Sequence, residues 1–320
     1  MKRLSNAVLA VAVFAVLPQV HAQQPTHLTI VIPFTPGGAA DNLARVLSQG
    51  LASQPGYETV IVENKPGASG QVAMNAIKAA KPDGNTVFLA HAGAFTLNRF
   101  VYKNLNYDAD QDLVPVAIVA TAPVFLLAPA EKGASSVEQL IEAGKIRPLN
   151  YGSPGVGTET HLAGEVFGAS AGIDVEHAAY KGAGPALIDL ASGRLDFMFD
   201  VLIGSNAFLK DGRLKVLAAA SDRRSQFLPD IPTLKELGID KVDFSLWWGV
   251  AAPAGTPDEV VQRLSRDIAQ ALDQPKIIQD FAELGVAIGT TTPEQMKARM
   301  AEDVQRLKAT LDEINLDLES

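Results

Sequence analysis

The chain is predicted to be an α/β protein of two lobes, each a mostly parallel sheet flanked by helices, joined by two crossing strands. Three observations carry that prediction. Short runs rich in β-branched and aromatic residues alternate with longer runs of helical periodicity, the pattern of strand–helix–strand units that share a sheet. Two long apolar runs, "DLVPVAIVATAPVFLLAPA" and "VDFSLWWGVAAPAG", break the rhythm, and each is long enough to leave one sheet and enter another. Finally, the 320 residues are 47% hydrophobic and include no cysteine, so stability must come from buried apolar surface, at a length where two domains are the better expectation.

The elements follow in order. Lys2 and Arg3 precede an apolar run from Ala7 to Leu17, and Val20-His21-Ala22 puts small residues at a cleavage point. Residues 1–22 therefore read as a secretory leader cut after Ala22, which leaves the mature chain in the periplasm. The run is shorter than the roughly 20 residues a membrane span needs. Without cysteine, lipid attachment at the cleavage point is excluded. "LTIVIPF" is then a strand followed by a helix from Asp41 to Ala52; "ETVIVEN" leads to a helix from Gly70 to Ala80; "TVFLAH" leads to one from Thr96 to Leu105. After the first crossover, "SSVEQLIEAG" opens on a serine N-cap with an acid three residues after Ser135. "LNYGSP" is strand then turn, and "GTETHLAGEVFGASAG" is a helix stopped by glycine. "VEHAAYKG", "GPALIDLASG" and "LDFMFD" repeat strand, helix and strand; "GRLKVLAAAS" adds a strand and "TLKELG" a short helix. The second crossover returns the chain, and the tail from Pro257 is helical, stopping at Gly285 and restarting after Pro293. Residues 23–122 with 248–320 form lobe 1 and residues 123–247 form lobe 2, with a double hinge between them.

The formal charge of −9 becomes −11 once Lys2 and Arg3 leave with the leader. Such a surface excludes nucleic acid and anionic membrane as partners, and no other stretch is apolar enough for membrane insertion. It does not exclude a small anion, because helix termini act locally inside a cleft.

In open α/β sheets ligands collect beyond the carboxyl ends of strands. The glycine-rich turns "TPGGAAD", "HAGAFT", "YGSPGVGTETH", "YKGAGPAL" and "FDVLIGS" all fall at such ends. Gly37 and Gly38 shape a tight turn or open the backbone to an anion. Asp41 favours the helix dipole, holds the loop, or receives an ammonium or hydroxyl. Gly155-Val156-Gly157 is a poor dinucleotide fingerprint, since Thr160 stands where its third glycine belongs. Ser153 is not a nucleophile elbow, since Tyr151 occupies the place of the first glycine, and no base partner is evident. His27, His91, His161 and His177 lack metal spacing, and His161 reads as a packing residue. Lys181 pairs with a carboxylate or is solvated, and one of Trp247 and Trp248 faces the cleft.

In this order, "IPFTPGGAAD", "VENKPGASG", "KPDGNTVFLA", "NYGSPGVGTETHLAGEVF", "YKGAGPALIDLASGRLDFMFD", "LPDIPTL" and "WWGVAAPAGTP" resemble the Bug-type solute-binding proteins of tripartite tricarboxylate transporters, from about Leu28 to the last helix. The resemblance implies a type II-like periplasmic binding protein, monomeric and without catalysis, cofactor or metal. It would close on a small organic carboxylate and deliver it to the membrane components of the transporter. It places ligand contacts on Phe34, Thr35, Pro36, Gly37 and Gly38 with Asp41 nearby, and on Ala92 and Gly93. Further contacts fall on Ser153, Gly155, Val156, Gly157 and Thr158, on Tyr180, Lys181 and Gly182, and on Asp200. It also implies ordered water bridging one ligand carboxylate to the lobes. Thr35, where relatives carry proline or a small residue, and Lys65, where arginine is frequent, depart from the pattern. A periplasmic sensor that presents its closed form to a signalling partner is the alternative reading, and a secreted hydrolase using Ser153 is a weaker one.

Overall fold

The computed structural model describes residues 27–67, 70–242 and 244–314, so the leader and its cleavage point lie outside the described residues. The N-terminal half follows the expected rhythm: β1 (His27–Ile32), α1 (Ala39–Ala52), β2 (Thr59–Asn64), α2 (Gln71–Ala79) and β3 (Thr86–His91). Leu43, Leu47 and Leu51 share one face of α1 and are buried, as their four-residue spacing dictates. The single helix expected after β3 is instead two short turns, α3 (Ala92–Phe95) and α4 (Asn98–Val101), followed by α5 (Ala109–Asp112). Side-chain bonds curl this segment: Asn98 donates to the Tyr107 hydroxyl at 2.8 Å, which donates to the Ala94 carbonyl at 2.8 Å.

β4 (Leu113–Pro123) closes the first half, and β5 (Phe125–Pro129) opens the second. There follow α6 (Val137–Gly144), β6 (Leu149–Ser153), α7 (Glu159–Ala171), β7 (Val175–Ala179), α8 (Ala183–Ser192), β8 (Phe197–Asp200), α9 (Leu202–Lys210) and β9 (Leu214–Ala219). The α6 cap is Ser136, whose hydroxyl accepts from Gln139 N–H, while Gln139 Oε1 accepts from Ser135 N–H at 2.9 Å. Gln139 thus completes the box in place of the acid one position earlier. β10 (Ser245–Pro253) rejoins the first sheet, and α10 (Asp258–Leu272), α11 (Pro275–Glu283), β11 (Ala287–Ile288) and α12 (Pro293–Ile314) complete it.

The strand orders are β11-β4-β10-β3-β1-β2 and β7-β6-β8-β5-β9. Both sheets are flanked by helices, but both are mixed where mostly parallel sheets were expected. β1 runs parallel to β2 and β3, and β6 parallel to β7 and β8. β10 and β4 pair antiparallel to each other, β10 pairs antiparallel to β3, and β5 pairs antiparallel to β8 and β9. The reason is topological: strands that carry the chain out and back must run in opposite senses; β4, β10 and β5 sit inside their sheets, and β9 lies at an edge. The crossing segments touch, with Ala220 N–H on the Val124 carbonyl and Phe244 N–H on the Ala220 carbonyl, each at 2.8 Å.

C-terminal helices pack back on the first sheet. The Tyr57 hydroxyl donates to Asp267 of α10 at 2.6 Å, and Trp247 Nε1 donates to Asp303 of α12 at 2.7 Å. Trp247 is fully buried and stacks on Phe95 with ring centroids 5.5 Å apart.

Candidate functional site

A cavity of about 220 Å³ lies between the two sheets. The first half supplies residues 34–40 of the β1–α1 turn, His91 at the end of β3, and Leu246 and Trp248 from β10. The second half supplies Pro154, residues 158–160 at the start of α7, residues 182–185 at the start of α8, and Asp200 and Val201 between β8 and α9. The cap residues of four helices therefore face one space: Gly38 of α1, Thr158 of α7, Gly182 of α8 and Val201 of α9. Each brings unpaired N–H groups and the positive end of a helix dipole. Only Thr158 caps its helix with its own side chain; Gly38, Gly182 and Val201 make no side-chain cap bond.

Asp41 lies behind the first turn and does not line the cavity. Its Oδ2 accepts from Gly37 N–H and Arg45 Nε, each at 2.9 Å, and its Oδ1 accepts from Arg45 at 3.0 Å and Asn64 at 3.1 Å. Burial pushes the carboxyl up, but the bonds from Arg45, Gly37 and Asn64 and the Arg45 charge outweigh it and hold it below the usual range. Gly37, at φ +87°, adopts a backbone that side chains disfavour, and its N–H is committed to Asp41. The N–H groups open to a ligand are thus those from Gly38 onward.

Of the residues expected from sequence, Phe34 to Gly38, Thr158, Gly182 and Asp200 line the cavity. Ala92, Gly93, Ser153, Gly155, Val156, Gly157, Tyr180 and Lys181 do not. Gly157 and Gly93 instead form the close contact between halves, since a Cβ on Gly93 would lie 2.9 Å from the Gly157 carbonyl oxygen. Tyr102 donates its hydroxyl to the Val156 carbonyl at 2.5 Å. Tyr180 bonds Asp189 at 2.8 Å. Ser153 has the base partner that sequence did not reveal, His177 Nε2 at 2.7 Å. Yet Ser153 is fully buried, away from the cavity, and bonded to Gly155, so the pair braces the β6–α7 turn. Behind it His177 stacks on His161 at 4.0 Å. Burial drives His161 down to about 3, with help from His177, and drives His177 down to about 4.

Sequence reasoning passed over His91, Pro154, Glu159, Thr160, Ala183 to Pro185, Val201 and Leu246. Glu159 Oε2 lies 2.9 Å from His91 Nδ1, a buried carboxyl–imidazole contact that joins the two halves. The same Nδ1 accepts from Gly93 N–H at 3.1 Å and so caps the short α3 turn. Asp200 is 3% exposed, and burial pushes it up to about 7 against the pull of its bond from Val201 N–H. No lysine or arginine is among the described lining residues. The site therefore offers main-chain donors and two acids around an apolar wall of Phe34, Pro154, Pro185, Leu246 and Trp248.

Residues 43–316 match the family model described as the tripartite tricarboxylate transporter family receptor. The chain is 33% identical over 293 residues to the UPF0065 protein in the tcbD-tcbE intergenic region of Pseudomonas sp. strain P51, covering 91% of this chain and 87% of that protein. It is 30% identical over 294 residues to BugT of Bordetella pertussis, covering 91% and 90%. Among solved structures, an R. palustris protein with adipate superposes with a TM-score of 0.86 at 31% identity, covering 90% of this chain and 97% of that one. MatC from Rhodopseudomonas palustris with bound malate gives 0.83 at 28% identity, covering 89% and 98%.

Proposed function

The chain belongs to the tripartite tricarboxylate transporter receptor family, and on that premise we propose that it is a periplasmic receptor that captures a small organic carboxylate and delivers it to the membrane components of such a transporter. The observation that carries the reading is the convergence of four helix starts, three without a side-chain cap, on one cavity between the sheets. Oriented N–H groups in a water-poor space favour an anion without any full positive charge. Adipate and malate, bound by the two solved relatives, are carboxylates of a size suited to such a space.

The ligand carboxylate rests on the N–H groups from Gly38 onward, with Thr35, Thr158 and Gly182 around it and Trp248 and Phe34 against the carbon skeleton. Lobe 1, residues 23–122 with 248–320, and lobe 2, residues 123–247, close about the crossings at Val124 and Ala220. Residues 1–22 direct export and are removed, and the mature receptor acts as a monomer.

Thermal-shift and calorimetric titration of the mature chain against mono-, di- and amino-carboxylates test this. Saturating ligand at 100 times its Kd is expected to add about 2.7 kcal/mol of stability by mass action. Absence of both heat and melting shift for every member at millimolar concentration would remove the proposal.

A further inference from the structure

The four helix starts around the cavity are not equally open to a ligand. On α7, Thr158 Oγ1 accepts from His161 N–H at 3.2 Å and donates to the Gly155 carbonyl at 2.8 Å, with the Thr160 hydroxyl 3.3 Å away. Glu159 sits in the same turn, its Oε2 on His91 and its Oε1 buried. On α9, Asp200 takes the Val201 N–H, and its Oδ2 is buried against the helix, where a Cβ on Gly204 would lie 2.7 Å away. These two starts therefore carry acids of their own. The starts of α1 and α8 carry no such group on the cavity side: Gly38 and Gly182 make no side-chain cap bond, α8 has no acid in its first turn, and the one in α1, Asp41, is bonded behind the loop. They also adjoin, since a Cβ on Gly182 would lie 3.8 Å from the Thr35 hydroxyl. Donors from both halves thus converge at one place.

Elsewhere the wall is largely apolar. Trp248 stands opposite His91 across the β10–β3 pair, Leu246 lies two residues before it on the same face, and the Phe34 ring centroid is 5.2 Å from that of His91. No lysine or arginine is among the described lining residues. We propose that the ligand is a monocarboxylate with an apolar body, its one carboxylate held where the starts of α1 and α8 meet and its chain or ring laid against Phe34, Leu246 and Trp248. The inference rests on the receptor reading above and narrows it. A second carboxylate away from that place would give up its water among apolar side chains and beside the Glu159 carboxyl, with no lysine or arginine to receive it. A methyl group or ring edge in the same position instead gains from leaving water.

The test compares acids of matched length that differ at one end only: valerate with glutarate, hexanoate with adipate, and 4-methylbenzoate with terephthalate. Calorimetry on the mature wild-type chain is expected to give the best monoacid an affinity at least about tenfold above that of every diacid. Leu246→Ala and Phe34→Ala each remove apolar surface from the wall; with the melting point checked for folding, each should weaken that monoacid by about tenfold. A diacid within about tenfold of the best monoacid would overturn the inference and leave the receptor standing. So would an unchanged monoacid affinity in every variant that folds, or silence from all these acids beside heat from leucine or glutamate. Silence from all of them and from leucine and glutamate as well would take down the receptor reading and this inference together.

Discussion

Gly37 and Gly38 are neighbours with different physical reasons to be glycine. Gly37 needs its positive φ, and its N–H anchors Asp41. Gly38 has an ordinary φ of −82°, and a Cβ there would meet nothing closer than the Thr35 carbonyl oxygen at 3.9 Å. Its lack of a side chain is therefore not a demand of the fold but leaves room in front of the first N–H groups of α1. Gly38→Val should keep the melting point within the spread of ordinary surface changes, about 0.5 kcal/mol, while costing about 1–3 kcal/mol of ligand binding, because the N–H groups lose their partner. Asp41→Asn should behave in the opposite way. It removes the charge that holds Gly37 N–H and Arg45, so stability falls by about 1–2 kcal/mol, and affinity for amino and plain acids falls by a common factor. Calorimetry and thermal melts on the two variants separate these roles. A Gly38→Val protein that binds as well as wild type would contradict the cradle, and a ligand-selective loss in Asp41→Asn would contradict its purely supporting place.

Element by element, the buried carboxyl of β8 and the buried imidazoles of α7 and β7 carry opposite pH responses. Asp200, at the end of β8, is raised from 3.8 to about 7, so its contribution is complete below 3.8 and is lost as pH rises toward 7. His161 at the start of α7 and His177 in β7 are lowered from 6.5 to about 3 and about 4, so theirs is complete above 6.5 and is lost as pH falls. From about pH 4.5 to 6.5, two imidazoles oppose one carboxyl, each on the order of 1 kcal/mol per pH unit, so stability should climb with pH. Asp200→Asn removes the opposing slope and should steepen the climb; denaturant melts across that window that are flat in both proteins would refute the assignment. These same elements mark what sequence could and could not disclose. Helix starts were legible because a cap is a local matter: Thr158 and the glycines at 38 and 182 announce themselves within four residues. His91 and Glu159 were not, since their meaning arises only when the end of β3 meets the start of α7 across 68 residues. The "HAGAFT" turn was singled out, but the strand's last residue reaches the cavity while Ala92 and Gly93 turn away, a one-residue parity that hydropathy does not fix. The mixed sheets escaped for a related reason: periodicity reveals a strand but not the direction of its neighbour.

For the whole molecule, the two halves are joined by two peptide crossings and by side-chain bonds that reach from one half to the other. The crossings at Val124 and Ala220 are tied to each other by main-chain bonds, and the proposed closure would place its bending where β4 gives way to β5 and β9 leads toward β10. Beyond the cavity, the Tyr102 hydroxyl on the Val156 carbonyl and the His91–Glu159 contact span the halves. Tyr102 does not line the cavity, so on the proposed closure it acts on a ligand through the contact between the halves. A neutral hydrogen bond of this kind contributes about 0.5–1.5 kcal/mol net, and its loss falls on the closed form alone. Tyr102→Phe, which keeps the ring, should therefore raise Kd by roughly 2–10-fold. Because the encounter of ligand with the open form is untouched, the change should appear almost wholly in the dissociation rate. Trp248, at the cavity wall and 1% exposed, supplies the signal, so stopped-flow fluorescence can resolve the two rates without a label. A slower association at unchanged dissociation would show that the bond acts on the open form, and identical kinetics in both proteins would show that the halves do not part during binding.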